Sequence, residues 1–94
     1  MTQMNKVGKV ATKVINNNFY TRVIYHDTEV IKFNDETIVL DSGGWETFTT
    51  KVRMNQASNE YNLGFQVYQR KFQWFVDFKG QTIPFDDGMM LRRN

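Results

Sequence analysis

The chain alternates between short apolar runs and short polar breaks, and the spacing of the two sets its reading. Tyr20–Tyr25, Thr28–Phe33 and Glu36–Asp41 are three runs rich in Val, Ile and Thr, separated by His26-Asp27 and Asn34-Asp35. Two-residue polar breaks between such runs signal hairpins. Within the first run Tyr20, Arg22 and Ile24 share one face, and Thr21, Val23 and Tyr25 share the other. In the second, Ile31 and Phe33 share a face and Val30 opposes them. The pattern predicts a three-stranded antiparallel meander. A further strand is expected over Lys9–Ile15, ended by the Asn16-Asn17-Asn18 turn cluster.

After Ser42-Gly43-Gly44 the period changes. The spacing predicts one helix, from Thr47 or Thr49 to Asn62, with either threonine suited to cap its first turn and Gly64 suited to a left-handed stop. Thr50, Met54, Ala57 and Tyr61 recur at helical spacing on one side, which is expected to pack on the sheet. Trp45, Phe48 and Val52 project roughly opposite, there to cover a sheet edge or to meet a partner. The polar positions, including Lys51, Arg53, Asn55, Gln56, Asn59 and Glu60, read as a solvated face or as a set of donors for a partner.

Strands then return. Phe65–Gln69 and Phe72–Phe78 are joined at Arg70-Lys71, Gln81–Phe85 follows Lys79-Gly80, and Asp87-Gly88 is expected to fold Met89–Arg92 back on the Ile83 strand. Pro84 lacks an N–H and belongs at an edge or bulge. The whole reads as α+β: mostly antiparallel β-sheet in two meanders, with a single central α-helix packed on it. Residues 1–8 read as a loose leader to one domain over residues 9–94.

The stretch YQRKFQWFVDFKG, residues 68–80, decides where function is sought. Alternation places Phe72, Trp74, Val76 and Phe78 on one apolar face, expected to be core under the helix. Tyr68 and Phe75 are left on the outward face near Arg70, Lys71 and Lys79. They either stack on each other or offer bases a platform, with the cations holding phosphates. Lys71, Phe75, Val76 and Phe78 fall at positions of the RNA-recognition signature, but Phe72 and Trp74 occupy its glycine-type positions, so the match is accidental.

Composition narrows the chemistry. The 94 residues include no cysteine, which excludes disulfides, thiolate catalysis and cysteine-ligated zinc. Twelve Lys and Arg against ten Asp and Glu give only +2, which does not by itself point to nucleic acid, where a clustered excess is expected. His26 is the single histidine and sits in a turn beside Asp27, with neither nucleophile nor second ligand at a telling spacing. Asp86-Asp87-Gly88 lacks the remaining ligands of a calcium loop, and Gly43-Gly44 is not followed by a phosphate-loop lysine. No enzymatic activity, metal or cofactor is expected, and with no signal peptide or apolar span in the sequence the expected location is the cytoplasm, with no membrane partner.

The run from Gly43 to Arg93, through the segments TTKVRMNQASN, LGF and PFDDGM, resembles a group of small bacteriophage proteins, notably from marine and cyanobacterial phages. The resemblance implies a phage accessory protein acting in the host cytoplasm and carries over no functional residues. Together these readings give a non-enzymatic binding module that engages a host or phage protein, through Tyr68, Arg70 and Phe75 on the sheet or Arg53, Asn55 and Asn59 on the helix. The alternative is single-stranded nucleic-acid binding by Tyr68 and Phe75 with Arg70, Lys71 and Lys79. Spare strand edges and the second apolar side of the helix also allow a homodimer.

Overall fold

The computed structural model describes residues 12–44 and 46–93. The expected leader, the first residues of the Lys9–Ile15 strand and Trp45 lie outside the described residues.

Among the described residues, eight strands and one helix follow in chain order: β1 (Thr12–Asn16), β2 (Thr21–Tyr25), β3 (Thr28–Phe33), β4 (Thr37–Leu40), α1 (Phe48–Glu60), β5 (Phe65–Arg70), β6 (Gln73–Phe78), β7 (Gln81–Pro84) and β8 (Met89–Arg92). They form a five-stranded sheet, β1-β2-β3-β4-β8, and a three-stranded sheet, β5-β6-β7, both antiparallel. The fold is α+β, as the pattern predicts. The helix contacts β2 and β3 of the larger sheet and β5 of the smaller one.

The core joins both sheets through α1. Val23, Ile31, Ile38 and Leu40 from the larger sheet are completely buried, as are Met54 and Ala57 of the helix and Val76 of the smaller sheet. Each large apolar side chain so buried contributes about 1.5–3 kcal/mol. Tyr61 closes one end, its ring 5.1 Å from that of Phe33. The Met54–Ala57–Tyr61 side of the helix thus faces inward, as its spacing implies.

Four local details depart from the sequence pattern. Val30 does not oppose Ile31; both are buried, because the β2–β3 register shifts between Val23 and Ile24 and inserts a bulge opposite. Thr47 caps α1, its Oγ1 accepting from Thr50 N–H at 3.2 Å, but the helix stops before Gly64. Asn62 takes the left-handed position (φ 54°), and Leu63 N–H donates to Ser58 C=O at 2.9 Å. This is the six-to-one closure that ends many helices, with Asn in the place of Gly.

The third departure is Phe72. It is not core but 95% exposed. β5 runs on to Arg70, so the turn is Lys71-Phe72 rather than Arg70-Lys71, and the ring leaves the face kept by Trp74, Val76 and Phe78. The fourth is β8. It pairs with β4, not with the Ile83 strand, in the register Leu40↔Met89 and Ile38↔Leu91. Gly88 N–H donates to Leu40 C=O at 2.8 Å, and the Asp87 carboxylate accepts from Ser42 N–H (2.8 Å) and Ser42 Oγ–H (2.7 Å). Alternation along β8 then puts Leu91 into the core. Pro84 lies on the edge strand β7, where its missing N–H costs no ladder bond.

Candidate binding surface

The helix face that reads as solvated is turned against the smaller sheet. Asn55 Nδ2 donates to Val67 C=O (2.9 Å) while Asn55 Oδ1 accepts from Val67 N–H (2.8 Å). Ser58 Oγ donates to Phe65 C=O (2.7 Å) and accepts from Phe65 N–H (3.0 Å). Lys51 Nζ reaches Gln69 Oε1 at 3.4 Å. Three or four helix residues match each two-residue step of the strand, so side chains of α1 stand where another strand would satisfy the free edge of β5. Arg53 is also drawn in. It is 8% exposed; Nε donates to Thr12 Oγ1 (2.9 Å), Nη1 donates to Gln56 Oε1 (3.1 Å), and the guanidinium lies 5.7 Å from the Tyr25 ring centre. Of the helix residues singled out, Arg53 and Asn55 are therefore committed within the chain, and Asn59 stays exposed beyond them.

The opposite face of the smaller sheet is different. Register aligns Tyr68, Phe75 and Pro84 in one row across β5, β6 and β7. The Tyr68 and Phe75 rings stack at 5.9 Å between centroids, 28° apart, each half-buried. Arg70 and Gln73 flank the row on one side. On the other, Asp77 accepts hydrogen bonds from Tyr68 Oη–H (3.1 Å) and Thr82 Oγ1–H (2.7 Å). The outcome is an apolar bar with a guanidinium at one margin and a hydrogen-bonded carboxylate at the other.

The structure does not unite the three expected cations. Arg70 and Lys71 sit at the β5–β6 turn, whereas Lys79 sits in the β6–β7 turn, its Nζ 5.4 Å from the Phe78 ring on the core side. A six-residue strand separates the two turns by about 20 Å.

The β5–β6 turn is itself unusual. Lys71 (φ 51°) and Phe72 (φ 67°) both adopt the left-handed conformation, where Asn-Gly is the ordinary choice. A bulky residue there costs of the order of 1 kcal/mol or more. Sequence reading missed Phe72 because its parity matches that of Trp74. It missed Pro84 because only cross-strand register, not composition, puts it beside Phe75. Lys51 is legible only as one of the polar positions of the helix, not as a neighbour of the β5 end.

Other constellations resolve internally. The His26 ring is exposed and lies 4.4 Å from that of Tyr25. Gly43 N–H donates to Asp41 Oδ1 (2.7 Å) and Gly44 N–H to Ser42 Oγ (3.2 Å), so the chain's own oxygens take these groups. Among the described residues no three His, Asp or Glu side chains gather as metal ligands, and no helix is long and apolar enough to cross a membrane.

No curated protein and no solved structure is detectably similar to the chain. One family model does match, that of the Kyanoviridae Gp96 protein, and it covers residues 1–92. With nearly the whole chain inside that match, the protein belongs to the Kyanoviridae Gp96 family, a cyanophage family, as the resemblance of Gly43 to Arg93 implies.

Proposed function

We propose that this phage protein is a non-enzymatic binding module that engages a host or phage protein through the outer face of its three-stranded sheet. The observation that carries this reading is the Tyr68–Phe75–Pro84 row, an apolar bar crossing three strands on the face turned away from the core. Paired aromatics with an adjacent arginine are the usual anchors of protein interfaces. Arg70 is exposed beside the bar, and Asp77, Thr82 and Gln66 supply a polar rim. The Asp77 carboxylate at the margin of the bar repels phosphate, and Lys79 stands too far from Lys71 to extend a phosphate track. Both features favour a protein over a nucleic acid at this face.

The test is recovery of partners from phage-infected host lysate on the tagged full chain, with and without nuclease. The wild type is expected to retain a protein after nuclease treatment, and Phe75→Gln to lose it while keeping its far-ultraviolet circular dichroism. A partner that vanishes with nuclease, or that Phe75→Gln retains in full, contradicts the reading.

A further inference from the structure

At one end of the molecule two phenylalanine rings stand in water without any service to the fold. Phe48, the first residue of α1, is 71% exposed, and Phe72, at the β5–β6 turn, is 95% exposed. Lys51 links their two segments: it stands three residues after Phe48 in α1, and its Nζ reaches Gln69, near the end of β5. Ser58 meets Phe65, Asn55 meets Val67 and Lys51 meets Gln69. Gln69 pairs with Trp74, two residues beyond Phe72, so the start of α1 approaches the end of β5 where the Lys71-Phe72 turn begins. Cations are interleaved with these rings. Lys51 Nζ lies 5.9 Å from the Phe48 centroid and 5.6 Å from that of Trp74, and Arg70 and Lys71 adjoin Phe72. No carboxylate occurs from Thr47 to Asn59 or from Tyr61 to Val76; the nearest along the chain is Glu46. In a chain of only +2 overall, Lys51, Arg70 and Lys71 thus lie in two segments whose nearest carboxylate along the chain is Glu46.

From this we infer that the α1 start and the β5–β6 turn form a site for single-stranded nucleic acid. Bases stack on Phe48 and Phe72, and backbone phosphates lie on Lys51, Lys71 and Arg70. The alternation of ring and cation matches the alternation of base and phosphate along an unpaired strand. The strained turn fits the same role: Asn-Gly would relieve Lys71-Phe72, yet an exposed ring is held there. This site adjoins the Tyr68–Phe75–Pro84 bar and shares Arg70 with it, so the module would hold a strand at one end and a protein on the neighbouring face.

The test is fluorescence anisotropy of a labelled 15-nucleotide oligothymidylate, titrated with the full chain at several salt concentrations. Binding is expected, with a log–log salt slope near −2 for three phosphate contacts, since each contributes about 0.7. Phe48→Ala and Phe72→Asn are each expected to weaken binding about tenfold. Lys71→Glu is expected to weaken it and to flatten the slope. Both rings are exposed, so the variants should fold, and an unchanged melting profile checks that. Lack of binding at about 100 µM protein in 50 mM salt, or equal binding by the ring variants, overturns the proposal. So does oligonucleotide silence with a protein captured through Phe48 and Phe72. The Phe75→Gln variant is expected to bind the oligonucleotide like wild type, so the two surfaces stand or fall separately.

Discussion

Asn55 and Val67 pair as though both were backbone: the side-chain amide exchanges two hydrogen bonds, 2.9 and 2.8 Å, with the N–H and C=O of a single strand residue. Ser58 repeats the exchange on Phe65. Strand β5 is an edge in topology but not in chemistry.

Asn55→Ala should therefore leave a donor and an acceptor on Val67 without protein partners. A loss of about 1–3 kcal/mol is expected, seen as a lower urea midpoint at unchanged m-value. Amide exchange at Val67 should speed up relative to Val76. Asn55→Asp keeps the acceptor but sets a negative charge against the Val67 carbonyl, and is expected to cost no less than the alanine variant.

Phe72 and Trp74 share parity along the sequence, yet Phe72, in the turn, is 95% exposed and Trp74, on β6, is 3% exposed. Trp74→Ala is expected to cost about 3–5 kcal/mol, whereas Phe72→Ala should fall within about 0.5 kcal/mol of wild type. Equilibrium unfolding of the two variants side by side distinguishes them. Equal losses would place Phe72 in the core.

The turn offers a stabilising change. Phe72→Gly supplies the residue that a left-handed φ favours, and Lys71→Asn with Phe72→Gly supplies the usual type I′ pair. The double variant should gain about 1 kcal/mol and a few degrees in Tm by scanning calorimetry.

Burial raises the Tyr61 hydroxyl above its ordinary value, with further rises from its hydrogen bond to Glu60 and from the negative charge of that carboxylate. The folded protein therefore favours the neutral phenol. Its contribution to stability is complete below the unfolded value of about 10 and is lost as pH rises through the higher folded value. Between about pH 9.5 and 12, wild type should lose stability more steeply than Tyr61→Phe, whose ring cannot ionise. Parallel curves of Tm against pH would show that Tyr61 does not contribute.

Period and turn chemistry made most of the fold legible. The β2–β4 meander, the Thr47 cap, the inward side of Met54, Ala57 and Tyr61 and the edge position of Pro84 all follow from local rules. What local rules did not show was pairing at a distance. β8 joins β4 because Leu91 completes the core beside Ile38, and no neighbouring residue signals that choice. The helix polar face misled for a related reason: Asn55, Arg53 and Gln56 look solvent-facing until the strand edge and Tyr25 come up against the helix, and Arg53 and Gln56 are buried. At the candidate surfaces, Tyr68, Arg70 and Phe75 were legible from alternation. That the start of α1 approaches the end of β5 shows only in the Lys51–Gln69 contact.

The pairing of β8 with β4 has a consequence for how the molecule is assembled. Leu40 waits for Met89, so the larger sheet acquires its last strand only after the helix and the whole smaller sheet have been synthesised. Loop closure over that span is slow compared with forming the local hairpins, and N-terminal segments leave the ribosome first. Until closure, the nascent chain carries an open β4 edge beside Ile38 and Leu40. A ribosome stalled short of Met89 would thus present a sticky intermediate to its neighbours in the crowded infected cell.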